Sequence, residues 1–571
     1  MFIRVKNKST QEKYKMSVQI VHSFRVKDKV RQKIVKHIGV ATSPKHLEEL
    51  KLLARTIQIE LENEDVSLFD PKELQKDIDT PQEKHHTSRY AEEDYQIDIR
   101  TLNEEKRVIN GIHDVYGKMF DQLNLKSIFT NPSKHVSAAQ IFKEIVLSRI
   151  ANPNSKRGSV AMLENNYGIH LNLDKVYRMM DKLDDTAIEK LNRLSYAKTK
   201  TLFDEKIDVI YFDATTLYFE SFTEDEGADA LKKNGYSKDL KFNQPQVVLA
   251  LMVTKEGLPI GYEVFPGDTF DGHTLIPSLK TLQEKYHIDN VVYVADSGMF
   301  NQENLKALEA LEAHHFNYIV GARIKNMPRA IKEQILDKTN YHPLNEEVTV
   351  TNITLDNGRK LIVTHSPKRA KKDKADREKG IEKLRAKLNK ASSIKSHLSN
   401  QGYKKYLRLE HGSNTHEPSV VLDEEKIKAQ EAWDGLKGLI VNQGSPLSNQ
   451  EVLTQYRNLW QVEASFRITK HDLKIRPIYH WKPSRVRAHL AISFAAFFLV
   501  RHLEHRVRVQ YKKLSPEMIR QLLINTQSSI LYSHAKKIKY AIPSRMSEEA
   551  MKIYRLMSIK REQTPYIIEK Y

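Results

Sequence analysis

The stretch Ile207-Asp208-Val209-Ile210-Tyr211-Phe212-Asp213-Ala214-Thr215-Thr216 sets a nearly unbroken apolar run directly before a carboxylate. A run of that length reads as a buried strand, and a carboxylate just past it emerges at the sheet edge on fixed backbone, where a metal ligand is useful. The same form recurs at Asn290-Val291-Val292-Tyr293-Val294-Ala295-Asp296-Ser297-Gly298-Met299-Phe300, an apolar strand followed by Asp296 and a small, flexible turn. Around these two, 247–253, 259–265 and 317–320 read as further strands, and helices fit at about 272–286 and 302–313. Strands first in a meander and then alternating with helices predict a mixed α/β sheet.

Outward from that core the pattern changes. Residues 1–40 hold 11 Lys or Arg against Glu12 and Asp28, in alternating stretches such as Phe2-Ile3-Arg4-Val5-Lys6 that suit short strands with a basic face. Ser43-Pro44 is a helix start, with Ser as N-cap and Pro in the first turn, leading into an amphipathic helix through about Glu62. The expected organisation is a basic, DNA-binding N-terminal region over 1–66, a linker over 67–104 and a helical, DNA-binding domain over 105–203. An α/β domain follows over 204–325 and 446–505, interrupted by a β-containing insertion subdomain over 326–445, and 506–571 is expected to be helical. Within the insertion, 366–390 carries 11 basic and 4 acidic side chains, which suits a DNA-tracking arm or a solvated helix equally.

Composition narrows the function. The chain has 571 residues, 92 Lys and Arg against 73 Asp and Glu for a net +19, a pI near 9.4 and no cysteine. Without cysteine there is no disulfide framework, thiol nucleophile or Cys-ligated metal centre. Met1 to Lys8 lacks the apolar segment of a signal peptide, and the longest apolar run, 490–500, is about half the ~20 residues that span a bilayer. The expectation is a cytoplasmic protein with no membrane partner and a polyanionic ligand, most simply nucleic acid.

A third acid, Glu463, lies in Tyr456-Arg457-Asn458-Leu459-Trp460-Gln461-Val462-Glu463-Ala464-Ser465-Phe466-Arg467-Ile468-Thr469-Lys470. Tyr456, Glu463 and Lys470 are spaced by seven, about 700° of helical rotation for each double turn, so one continuous helix would present all three on one face. Each acid alone is compatible with a turn, an N-cap or an i,i+4 pair such as Glu463 with Arg467. Three carboxylates brought together repel by roughly 4 kcal/mol per pair at 4 Å in an effective dielectric of 20, a cost that divalent metal removes. Two Mg²⁺ ions held by carboxylates activate an attacking oxygen and stabilise a departing one in phosphodiester cleavage.

In this order the motifs resemble those of DDE-type transposases of bacterial insertion sequences, in the superfamily with a Tyr-Arg-Glu-Lys signature, insertion-sequence-four type. Asp213-Ala214-Thr215-Thr216-Leu217-Tyr218-Phe219 resembles the first-Asp motif, and Gly235-Tyr236-Ser237-Lys238-Asp239 with Gln246 the segment after it. Pro259-Ile260-Gly261 through Phe265-Pro266-Gly267-Asp268-Thr269 also fits, as does Ala295-Asp296-Ser297-Gly298-Met299-Phe300 for the second Asp. Tyr456, Glu463 and Lys470 keep the signature spacing, while its Arg position holds Leu459, with Arg457 and Arg467 as substitutes. The resemblance covers roughly 205–325 and 445–505. It implies a ribonuclease H-like catalytic core with an inserted subdomain, which the spacing of 167 positions from Asp296 to Glu463 accommodates.

It further implies that Asp213, Asp296 and Glu463 are catalytic and bind Mg²⁺, with Mn²⁺ as a substitute, and that Tyr456, Lys470, Arg467, Arg457 and Trp460 contact DNA. The implied partners are double-stranded DNA at element ends and target, and a second copy in a homodimer or higher assembly, in a bacterial, nucleoid-associated setting. The competing reading is a catalytically inactive or domesticated transposase-derived DNA-binding protein. Asp268 and Asp271 read as turn residues, and His502 with His505 as surface or core rather than a metal pair. Neither a His-x-His relaxase motif nor a Gly-x4-Gly-Lys-Ser/Thr phosphate loop is present.

Overall fold

The computed structural model divides into two compact units, Met1–Ile288 with Trp460–Tyr571, and Asp289–Leu459. It describes residues 1–570 apart from 11–12, 27–28, 64–90, 130–131, 204–206, 236–242, 271–272, 275, 279, 281–291, 297–305, 307–316, 389–405 and 411–418. Most of the expected linker, and most of the helices expected at about 272–286 and 302–313, therefore lie outside the described residues.

In the first unit, β1 (Phe2–Asn7), β2 (Met16–Val26) and β3 (Lys29–Ala41) form an antiparallel sheet. Its alternation buries Val18 and Ile20 against α1 (Pro44–Asn63), whose Leu47, Leu50, Ala54 and Ile57 recur every three or four residues on one face. Lys6, Arg25, Arg31 and Lys33 stay exposed, giving the basic surface that the alternation predicts. The Ser43 hydroxyl accepts from His46 N at 3.2 Å, as a cap should.

The expected linker is partly regular at its end: α2 (Glu92–Tyr95) is followed by β4 (Leu102–Ile109). A helical stretch comes next, α3 (Gly111–Gln122), α4 (Pro132–Ala151), α5 (Lys156–Tyr167), α6 (Leu173–Met180) and α7 (Asp185–Lys200). Then β5 (Val209–Tyr218), β6 (Gln246–Thr254) and β7 (Pro259–Pro266) make an antiparallel meander. All nine residues of β6 are buried, which is why this strand reads as a continuous apolar run. The backbone of β7 is satisfied by α7: the Asn192 amide exchanges hydrogen bonds with Tyr262 N and O at 3.1 Å, and Ser195 and Thr199 donate to Pro259 O.

The second unit pairs β8 (Val292–Ala295) in parallel with β9 (Asn317–Ala322). The strands of 326–445 do not make a sheet of their own beside this pair. After α8 (Arg329–Leu336), β10 (His342–Asn345), β11 (Val348–Thr354) and β12 (Lys360–His365) join it through a later strand, β15 (Leu436–Val441), in the order β8-β9-β15-β12-β11-β10. The basic segment forms α9 (Pro367–Leu388), anchored where buried Arg377 bridges Asp434 at 2.5 Å and Glu431 at 3.3 Å. A separate hairpin, β13 (Leu407–Glu410) with β14 (Ser419–Leu422), precedes α10 (Glu424–Glu431), β15 itself (Leu436–Val441) and α11 (Asn449–Arg457).

Back in the first unit, α12 (Trp460–Arg467) runs into a π-helical turn over Ile468–Asp472, and α13 (Pro483–Gln510) forms the core. By length and composition α13 is apolar enough to cross a membrane, yet 89% of its most apolar window is buried inside the protein, the mark of a core helix. The last segment corrects an expectation. Beyond α14 (Pro516–Ile524) and α15 (Glu548–Leu556), 506–571 contributes β16 (Gln527–Ser533), β17 (Ile538–Pro543) and β18 (Tyr566–Lys570), in a sheet ordered β18-β17-β16-β4. Half-buried strands such as Gln527–Ser533 lack a strong apolar run, so their pairing with β4 decides the structure more than their own pattern does.

Candidate active site

Asp213 lies within β5 rather than past its end. The strand continues because Thr215, Thr216 and Tyr218 are β-branched or aromatic and the ladder with β6 runs on to Tyr218 opposite Gln246, with Asp213 opposite Leu251. The Asp213 carboxylate is half-buried, and its Oδ1 accepts from Ala214 N at 2.8 Å. Two residues on, and so on the same face of the strand, the Thr215 hydroxyl accepts from Lys470 Nζ at 2.6 Å. Lys470 is thereby fixed beside the Asp213 face of β5. Glu463 is exposed in the first turn of α12, a helix that packs across β5 and β6 through its buried face, Val462, Ser465 and Phe466.

In the second unit, Asp296 follows β8 at once and is exposed, as the apolar run before it predicts. The Tyr456 hydroxyl donates to Asp296 Oδ1 at 3.2 Å. The Tyr456 ring is 7% exposed and has Lys437 Nζ 4.1 Å from its centroid, so its hydroxyl rather than its face is what it offers.

The single helical stripe expected for Tyr456, Glu463 and Lys470 does not exist. α11 ends at Arg457, Asn458 and Leu459 form a turn, Glu463 belongs to α12, and Lys470 sits in a π-helical turn. Leu459, where the resemblance implies an Arg, is 7% exposed and apolar, which anchors that turn. Arg457 and Arg467 are exposed, as is Trp460 at 50%.

Among the described residues no group of three or more His, Asp or Glu side chains lies together as a metal cage. Each carboxylate taken singly is a hard oxygen donor of the kind that suits Mg²⁺, which keeps several waters and takes one or two protein carboxylates. Thr215 and Lys437 were not foreseen; alternation along β5 flags Thr215, whereas nothing local flags Lys437.

The neighbouring motif residues have structural work. Gln246 is buried and its Nε2 donates to Gly267 O at 2.9 Å. A Cβ on Gly267 would meet Gln246 O at 2.0 Å and Lys233 O at 2.3 Å, so only glycine fits there. Tyr236 to Asp239, Asp271 and the residues from Ser297 to Phe300 lie outside the described residues, and Asp268 is exposed in a turn. His502 is buried and shares a 3.2 Å hydrogen bond with Thr199, a core role; desolvation holds its imidazole well below the usual histidine range.

Two family models match this chain: "Transposase DDE domain" over residues 204–499 and "IS1634 family transposase, N-terminal domain" over residues 3–66. The chain therefore belongs to the transposases that carry a DDE domain. No curated protein matches it. Among solved structures, the Mos1 transposase paired-end complex with left transposon end is similar at 13% identity over 29% of this chain, with a TM-score of 0.14. That match spans about half, 53%, of the Mos1 chain, and a likeness so partial carries no argument.

Proposed function

We propose that this protein binds the terminal inverted repeats of an insertion sequence and catalyses metal-dependent DNA cleavage and strand transfer. The observation that carries the reading is the DDE-domain match over 204–499, which encloses Asp213, Asp296 and Glu463. The order of the strands in each unit is compatible with a ribonuclease H-like core divided by the 326–445 segment. Placement in the Tyr-Arg-Glu-Lys superfamily, insertion-sequence-four type, rests on the spacing of Tyr456, Glu463 and Lys470, whereas the N-terminal match names the IS1634 family.

In this reading Asp213, Asp296 and Glu463 are the metal ligands, with Mg²⁺ the working ion and Mn²⁺ a substitute. A bound divalent ion supplies charge that activates the attacking oxygen and stabilises the departing one. The chain's own groups hold and orient. Tyr456 steadies the Asp296 carboxylate, and Lys470, fixed by Thr215, presents a cation to the strand end. Exposed Arg457 and Arg467 neutralise phosphates, and exposed Trp460 offers a stacking face. The net +19 supplies the long-range attraction to DNA at element ends and target, in a homodimer or higher assembly at the bacterial nucleoid.

The test is cleavage of a labelled duplex carrying the repeats that flank the coding region, with Mg²⁺ or EDTA, by wild type and Glu463→Gln. Cleavage at the repeat boundary by wild type with metal alone supports the reading. Equal binding by both proteins with cutting by neither under any metal overturns it in favour of an inactive, transposase-derived DNA-binding protein.

A further inference from the structure

Away from the carboxylates, the first unit contains a cavity of about 410 Å³ between the end of α4, the start of α5, α6, the loop after Lys470 and α13. Arg149, Lys156, Arg157, Lys474 and Arg476 line it, and none of its thirteen lining residues is acidic. Two of these cations are buried, Arg149 at 3% exposure and Lys156 at 4%. Burying one cation without a carboxylate is costly, and burying two side by side is more so, unless an anion completes the site.

The partners these two cations do have are neutral. Arg149 donates to the carbonyls of Leu473 at 2.9 Å and Lys474 at 3.0 Å, while its Nε is buried with no partner. Lys156 Nζ reaches only His489 Nδ1 among the hydrogen bonds described, at 3.4 Å, and His489 Nε2 in turn is 3.0 Å from Ile475 O. That pairing fixes the neutral tautomer, with Nε2 donating to the carbonyl and Nδ1 accepting from the ammonium. Desolvation and the nearby Arg149 push the Lys156 ammonium well below the usual lysine range, and desolvation takes Arg149 down to about 10.

The start of α5 adds a helix N-terminus to the same wall, where the Ser155 hydroxyl accepts from Gly158 N at 3.1 Å and Ser155, Lys156 and Arg157 line the cavity. Five cations, an unpartnered buried guanidinium nitrogen and a helix N-terminus without any acid match the chemistry of a phosphate.

We propose that this cavity is a phosphate-binding site, separate from the metal-binding carboxylates, that takes a phosphate group of bound DNA; the DNA assignment rests on the function proposed above. Arg476 links the cavity to the catalytic strand, because its guanidinium lies 4.6 Å from the ring centroid of Tyr218 at the end of β5. Tyr218 is five positions beyond Asp213, roughly 17 Å along a strand, and by the two-residue alternation it lies on the other face of β5 from Asp213. The phosphate it takes is therefore well removed from the one that is cut.

The test uses the full chain in EDTA, so that no cleavage enters the readout, with Lys156→Met in the buried wall and Arg157→Ala at the exposed mouth. In one arm, inorganic phosphate is titrated while the melting temperature is followed. In the other, binding of a 5′-hydroxyl duplex is measured by anisotropy across a salt series. The expected result is a phosphate-dependent rise in melting temperature for wild type that is lost in Lys156→Met. For DNA, both variants should bind about tenfold more weakly, with a salt slope lower by about 0.9, the value of one lost phosphate contact.

A phosphate effect with unchanged DNA slopes keeps the site but assigns it to a free phosphate, which overturns the DNA assignment. Wild-type responses from both variants in both arms overturn the site itself. If wild type responds to phosphate but binds no DNA, the cavity stands and the transposase reading fails instead.

Discussion

Replacing Tyr456 by Phe removes one oxygen and tests what this residue is for. The substitution keeps the buried ring and the Lys437 ammonium 4.1 Å from its centroid, so the packing of α11 is preserved. What is lost is the 3.2 Å hydrogen bond to Asp296 Oδ1. A hydrogen bond to a charged group contributes about 1.5–3 kcal/mol, and the exposure of Asp296 places this one at or below the lower end of that range. About 1.4 kcal/mol is a factor of ten in rate. The expected outcome is a roughly tenfold fall in the cleavage rate of an element-end duplex at limiting Mg²⁺, a higher metal midpoint, and unchanged DNA affinity in EDTA. A variant with wild-type rate and midpoint refutes the positioning role. A variant with normal metal dependence and weaker DNA binding shows that Tyr456 acts on the DNA instead.

Other consequences can be checked by folding measurements. Arg506 Nη2 donates to both carboxylate oxygens of Glu60, at 2.8 and 3.1 Å, with both side chains under 8% exposed, tying α1 to α13. Glu60→Gln should lower the unfolding free energy by about 3–5 kcal/mol in a urea titration, the cost of leaving a buried cation without its partner, whereas Glu60→Gln with Arg506→Met should recover part of the loss. His502 is held neutral in the folded protein by desolvation first and by the nearby charges of Arg506, Lys198 and Arg501. The unfolded chain binds the extra proton below about 6.5, so stability is complete above that pH and falls as pH drops below it, and His502→Gln should flatten the melting-temperature profile below pH 6.5. Lys470→Met should leave β5 intact yet weaken binding of the cleaved strand end and lower the salt slope by about one phosphate contact, because it removes the ammonium that Thr215 holds beside the Asp213 face of β5.

The parts of this molecule that were legible in the sequence are those whose signal is local. Val292–Ala295 is apolar and short, Asp296 ends it, and the structure follows. At Asp213 the same reasoning stops the strand too early, because Thr215 to Tyr218 are polar or mixed in character yet strand-forming, and the ladder with β6 carries them on. The difference matters for chemistry: a carboxylate inside a strand has a same-face neighbour at i+2, and that neighbour, Thr215, is what holds Lys470.

Spacing arguments fail where they assume an uninterrupted element. Seven-residue intervals from Tyr456 to Glu463 to Lys470 mean one face only on one helix, and here the turn at Asn458 and buried Leu459 and the π-helical turn at Ile468–Asp472 divide the segment in three. The seven-residue spacing therefore does not mean a shared helical face here: Tyr456 and Lys470 are each placed by their own partner, Asp296 and Thr215. The cationic cavity was illegible for the opposite reason. Arg149, Lys156 and Arg476 come from three segments with no common period, and their shared lack of an acid is visible only once the helices are packed. A protein of net +19 exposes many lysines and arginines that mean nothing individually; what distinguishes this group is that two of them are buried without a carboxylate, a cost that a bound anion removes.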